Sequence, residues 1–111
     1  MNYDLEERTL NFSKNVFLCC KKVRQDTLNK PILSQVIRSS GSIGANYIEA
    51  NDALGKKDFT HRLRIARKEA KETIYWLKIL DSNYPELQCG DLIQEAVELR
   101  NILSAIIKKS L

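Results

Sequence analysis

The sequence predicts an all-α chain, an antiparallel up-and-down four-helix bundle, and three observations carry that reading. Apolar residues recur at alternating steps of three and four over long stretches, the signature of amphipathic helices. Only two prolines and four glycines occur among 111 residues, which favours few, long elements over many turns. No stretch alternates apolar and polar residues between turn signals, so strands are not supported. At this length one domain spanning residues 1–111 with a single core is expected. A hydrophobic content of 43% beside 29% charged residues is that of a folded chain rather than a disordered one.

The first helix is expected over about residues 3–24, where Leu5, Thr9, Phe12, Val16, Cys20 and Val23 form one stripe. Pro31 suits the first turn of a second helix, because the amide hydrogen that proline lacks has no helical partner there. That helix should run over about 31–54, with Gly55 as a left-handed terminating residue. The third should span about 57–82, with Asp58 at its positive end and Asn83 and Pro85 as its stop. The fourth is expected over about 91–109, with Asp91 as its N-cap and Leu92, Ala96, Leu99, Leu103 and Ile106 as its stripe. Short connections between such helices point to antiparallel neighbours.

The segment RSSGSIGANYIEAN, residues 38–51, tests three readings. A phosphate-binding loop requires a lysine after its last glycine, yet Ala45 and Asn46 follow Gly44. A dinucleotide fingerprint requires a third glycine and a preceding strand. Gly41 to Gly44 matches the short loop of KH domains, but that fold needs strands. Placed on a helix, Ile37, Gly41, Gly44 and Ile48 form one stripe, flanked by Val36, Ser40, Ile43, Tyr47 and Leu54. Ser39, Ser42, Asn46 and Glu49 are expected on the opposite side. Each glycine costs about 1 kcal/mol of helix propensity relative to alanine, and close approach of a neighbouring helix is the simplest offset. The width of this arc points to burial on two sides, hence to self-association.

On the third helix, Phe59, Leu63, Ala66, Ala70, Thr73, Ile74, Leu77 and Leu80 define a core side. Ile65, Trp76 and Ile79 point to one edge of it, where a subunit contact would cover them. The expected helix-packing and oligomer surface is therefore Gly41, Gly44, Ile48, Ile65, Trp76 and Ile79. Glu69 falls among Ala66, Thr73, Ile65 and Trp76, so it should be partly buried and in need of a partner, with Arg62 or Arg38 as candidates. Asn46 and Glu49 complete the expected polar network.

Charge is unevenly placed. The net charge is +4, yet residues 56–78 hold eight Lys or Arg against three acids, while residues 81–99 hold five acids and no base. Arg64, Arg67, Lys68, Lys71 and Lys78 share one arc of the third helix, a candidate surface for RNA or DNA backbone. The competing reading pairs these bases with Asp91, Glu95 and Glu98 of the fourth helix, or leaves them solvated. Helices this long do not fit a helix-turn-helix, so any binding is expected to select weakly among sequences.

Enzymatic chemistry finds little footing. Cys19, Cys20 and Cys89 have no metal-ligand spacing, and His61 is the single histidine. Paired Glu-x-x-His motifs, which a four-helix metal centre would need, are missing. No metal and no cofactor are expected, and reduced, partly buried thiols fit best. Apolar runs are too short to span a bilayer and no secretory signal opens the chain, so a cytoplasmic location without a membrane partner is expected.

One resemblance is specific. The run QVIRSSGSIGANYIEAND, with Gln35, Arg38, Ser39, Ser42, Ile43, Asn46, Glu49 and Ala50, carries its first half. The run KKDFTHRLRIARKEAKETIYWLKIL carries the second through Asp58, Phe59, Leu63, Ile65, Ala66, Glu69, Ala70, Glu72, Thr73, Trp76 and Leu77. Together they resemble the four helix bundle protein family named after proteins encoded in 23S rRNA intervening sequences. The resemblance covers nearly the whole chain. It implies a small cytoplasmic four-helix subunit that assembles as a ring-like homopentamer. A related family member, the accessory protein of diversity-generating retroelements, forms a basic pentameric barrel and associates with reverse transcriptase and nucleic acid. No feature of this chain singles out that member. The resulting expectation is a non-enzymatic homo-oligomer that binds nucleic acid. The alternatives are a scaffold that recruits another protein, or a reverse-transcriptase accessory subunit.

Overall fold

The computed structural model describes residues 2–111. They form α1 (Asn2–Cys20), α2 (Lys30–Asn51), α3 (Lys56–Asn83), a short 3-10 turn (Pro85–Leu87) and α4 (Gly90–Ser110). Among the described residues there is no strand, and the four helices fit a four-helix bundle. The molecule is elongated, 44 × 23 × 20 Å. At about 1.5 Å per residue α3 alone runs close to its full length. α3 packs chiefly on α2 and α4, whereas α1 lies mainly on α2 and touches α4 more lightly.

The core follows the predicted stripes. Phe12 and Val16 of α1 meet Val36 and Ile43 of α2, Leu63 and Leu77 of α3, and Leu99 and Leu103 of α4 in one buried cluster. Each such side chain contributes about 1.5–3 kcal/mol by leaving water. All four helices therefore depend on tertiary burial more than on local propensity.

The ends of the helices depart from expectation in instructive ways. α1 stops at Cys20 rather than near residue 24, because Lys22 and Val23 donate to the carbonyls of Cys19 and Cys20, three residues back, which tightens the last turn. Buried Asn29 then captures the chain. Its Nδ2 donates to the Arg24 carbonyl at 2.9 Å and to the Tyr84 hydroxyl at 2.9 Å. Asp26 Oδ1 accepts the Leu28 and Asn29 amides, closing a local turn that competes with helix. α2 likewise ends at Asn51 rather than 54, and Leu54 is fully exposed rather than part of the helix. Gly55 does not terminate α2. It precedes α3 at φ 157°, and its carbonyl accepts the Phe59 amide. α4 begins at Gly90, one residue before the expected start, so Asp91 lies in its first turn and Cys89 occupies the N-cap position.

The buried arc of α2 is also rotated from expectation. It is centred on Val36, Ile43, Tyr47 and Ala50, and it takes in Ser39 and Ser40, both essentially buried. Ser39, expected on the opposite side, is instead buried against α3, where Thr73 donates to its hydroxyl at 2.8 Å. Ile37 and Ile48 lie instead at the exposed edge, 38% and 47% accessible.

Candidate functional site

Two seams flank α2. On the α3 side, Arg38 Nη2 lies 3.0 Å from Glu72 Oε1 and 3.1 Å from Glu69 Oε1, while Arg38 Nε donates to Gln35 Oε1 at 3.0 Å. The Glu69 approach falls short of a directed hydrogen bond, so charge attraction is the substance of that contact. Glu69 is buried, and the guanidinium offsets the cost of a carboxylate out of water. The same two carboxylates, Glu69 first, hold the Arg38 guanidinium further above its ordinary pKa. One turn along, Thr73 bridges Ser39 and the Glu69 carbonyl. Of the expected polar network, the structure brings together Arg38 and Glu69 and adds Glu72. Asn46 turns back to the Ser42 carbonyl of its own helix, Glu49 is exposed, and Arg62 lies half-buried apart from the cluster.

On the α1 side, Gly44 is buried beneath Thr9. A Cβ built at residue 44 would lie 2.7 Å from Thr9 Oγ1, whereas one at Gly41 would meet Ser13 Oγ at an ordinary 3.6 Å. Close approach at Gly44 is therefore a contact within this chain. Gly41 is half-buried, and beside it an apolar strip opens to solvent. Leu10 and Phe17 of α1 are 53% and 50% exposed, and Ile37 and Ile48 of α2 are also accessible. Ser13, Lys14, Phe17, Leu18 and Ile37 line a groove of about 440 Å³ there. Sequence reasoning missed Leu10, Phe17 and Leu18 because it followed only the core stripe of α1. Their spacing beside that stripe was the available signal. Ile65, Trp76 and Ile79 are half-buried on α3, and Trp76 packs against the core with its Nε1 enclosed and without an acceptor.

The outer side of α3 carries the charge. Arg64, Lys68, Lys71 and Lys78 are exposed and Arg67 is half-exposed. Among the described residues, none of these five makes an ion pair. Of the three α4 acids that might have neutralised them, Asp91 makes no ion pair among the described residues and the other two are engaged elsewhere. Glu95 and Glu98 are both bound by Arg8 of α1, at 2.7 and 2.9 Å. Those bonds, Glu95 foremost, raise the Arg8 pKa, and Gln94 together with Arg8 lowers that of Glu98. The competing reading, in which the α3 band pairs with the α4 acids, is therefore not met among the described residues; Glu95 and Glu98 instead join an α1–α4 clasp, whose partners lie 87 and 90 residues apart.

The cysteines do not form a reactive centre. All three are buried and free. Burial, reinforced by Cys19, pushes the Cys20 thiol up to about 11 and the Cys89 thiol up to about 12, which keeps both protonated at neutral pH. Among the described residues no group of three His, Cys, Asp or Glu side chains could hold a metal. Nor is any helix long and apolar enough to cross a membrane.

Fold and surface thus define a class, an all-helical four-helix protein with a polar α2–α3 seam and a basic outer face. Within that class the chain belongs to the 23S rRNA-intervening sequence protein family, whose model matches residues 1–105. It is also similar to a solved structure from Bacteroides thetaiotaomicron, described as a protein with unknown function from the S23 ribosomal protein family. The two share 31% identity and a TM-score of 0.82, over 96% of this chain and 97% of the other. No match is found among curated proteins. The residues that carry the family resemblance meet in space, since Arg38 and Ser39 of the first run face Glu69, Glu72 and Thr73 of the second.

Proposed function

We propose that this chain is a non-enzymatic, cytoplasmic protein that assembles into a ring-like homopentamer and holds nucleic-acid backbone on the outer face of α3. The observation that carries the reading is the set of five bases, Arg64, Arg67, Lys68, Lys71 and Lys78, on one arc of one helix, with no ion-pair partner among the described residues. Lysine and arginine without acidic partners release counterions on meeting phosphates, and repetition around a ring multiplies that effect.

An antiparallel course of the helices is supported by the α1–α2 register. Glu6 pairs with Asn51, Thr9 faces Gly44 and Ser13 faces Gly41, so positions rise along one helix as they fall along the other. Self-association is supported by the strip of Leu10, Phe17, Ile37 and Ile48, which is apolar and accessible on α1 and α2 and leaves the outer arc of α3 free. The same strip favours a second reading, a scaffold that recruits another protein without nucleic acid.

One preparation separates the two. The purified protein should run as a multiple of its 12.8 kDa subunit and bind structured RNA with affinity that falls steeply as salt rises. Arg64→Glu with Lys68→Glu should remove that binding while leaving the assembly mass unchanged. Absence of binding at low salt, or indifference to the double reversal, would overturn the nucleic-acid reading. A monomer would overturn the ring.

A further inference from the structure

The basic arc of α3 contains something that charge alone does not explain. Tyr75 is 61% exposed and sits between Lys71 and Lys78 at steps of four and three. The same alternation runs back from Lys71 through Lys68, Arg64 and His61 to Lys57, and every one of these side chains is exposed. At about 100° and 1.5 Å per residue, these positions form a single straight stripe roughly 32 Å long. No acid lies on it. Glu69 and Glu72 point toward α2 and are held there by Arg38, and exposed Asp58, beside Lys57 in sequence, lies about 100° round the helix from it.

An aromatic ring in the middle of such a stripe has a chemistry of its own. Tyr75 is steadied from one side by Trp76, whose ring meets it edge to face at 5.1 Å between centroids and 76° between planes. Trp76 in turn packs against the core. The tyrosine is thus anchored to the bundle while most of its surface remains open to water. Duplex nucleic acid has no use for this ring, because its bases are already stacked on one another. An unpaired base offers a free face, and stacking on an exposed aromatic between cations is how single strands are held without sequence readout.

We propose that the α3 stripe binds single-stranded nucleic acid, with Tyr75 as the stacking platform for one unpaired base and the flanking cations as the track for its phosphates. This rests on the nucleic-acid reading above and narrows it to unpaired strands. The ring also makes a distinct prediction about energetics. Cations set the salt dependence of binding, since each phosphate contact releases counterions, whereas stacking does not.

The experiment compares fluorescently labelled oligo(U) of twenty residues with an RNA duplex of equal length, at several salt concentrations. Wild-type protein should favour the single strand. Tyr75→Ala should weaken oligo(U) binding roughly ten-fold, the effect of losing one stacked base, with the salt slope unchanged and duplex binding unaffected. Tyr75→Phe, which keeps the ring, should restore the wild-type affinity. An oligomer of abasic residues should bind wild type and Tyr75→Ala equally. The inference is overturned by a preference for duplex, by equal losses on both RNAs, or by Tyr75→Phe behaving as Tyr75→Ala. It is also overturned if Tyr75→Ala breaks up the assembly, which would make the ring a subunit contact. If Arg64→Glu with Lys68→Glu abolishes binding but Tyr75→Ala does not alter it, the stacking platform falls and the basic surface stands. If neither alters it, both fall.

Discussion

The two sides of α2 solve the same problem, bringing a second helix close, by opposite means. Toward α3 the seam is polar and paired, with Arg38 reaching Glu69 and Glu72, and Thr73 donating to Ser39. Toward α1 it is made by subtraction. Gly44 has no side chain, and Thr9 fills the space while its hydroxyl bonds the Glu6 carbonyl of its own helix. A seam of hydrogen bonds specifies partner and register, because a misplaced neighbour leaves buried polar groups unpaired. A seam of missing atoms specifies distance, because only one helix spacing fills the gap without overlap. A small residue in a helix can hide either role, and only the neighbour reveals which.

The two seams differ most in what a substitution at Gly44 would do. Gly44→Leu should cost about 3 kcal/mol or more, since the new side chain meets Thr9 backbone and side chain in a closed space. Urea melts should show the midpoint shift, and a wild-type midpoint would mean that α1 yields easily. Next in size is Arg38→Ala. It leaves Glu69 buried without its cation and should cost about 1–3 kcal/mol. The cost should shrink when Glu69→Gln is made beside it, and a double-mutant cycle measures that coupling. Strictly additive losses would mean that the ion pair carries none of the seam's stability. Smallest is Gly41→Ala. Its new methyl meets Ser13 at ordinary contact distance, so helix propensity wins and the protein should gain about 0.5–1 kcal/mol. A clear loss in thermal melts would place Gly41, like Gly44, under a close neighbour.

Helix existence was legible in the sequence because the three-and-four spacing of apolar residues reports burial directly, as Phe12 and Val16 or Leu99 and Leu103 illustrate. Helix ends were less legible because they depend on partners that local pattern does not name. α1 is cut short by the Asn29 amide, which reaches both Arg24 and a tyrosine fifty-five residues away. Gly55 suits the end of one helix and the start of the next equally well, and composition cannot choose between them. Ser39 reads as a solvent-facing residue until Thr73 is placed opposite it, thirty-four residues on. The basic arc was visible because lysines and arginines at helical spacing declare themselves. What cancels or spares them was not, since Glu95 and Glu98 of α4 are claimed by Arg8 from the far end of the chain. Exposed apolar residues such as Leu10 and Phe17 were overlooked for the converse reason: pattern reading assigns hydrophobes to the core until a neighbour is shown to be absent.

The three thiols have a consequence of their own. Cys19 and Cys20 close α1 and Cys89 stands at the entry to α4, all three buried, and burial holds Cys20 and Cys89 in the neutral form. A thiol reagent at neutral pH therefore reads how often this end of the molecule opens, not how reactive its sulfurs are. The chain carries a built-in stopwatch for the breathing of its own helix ends, one that runs without any label.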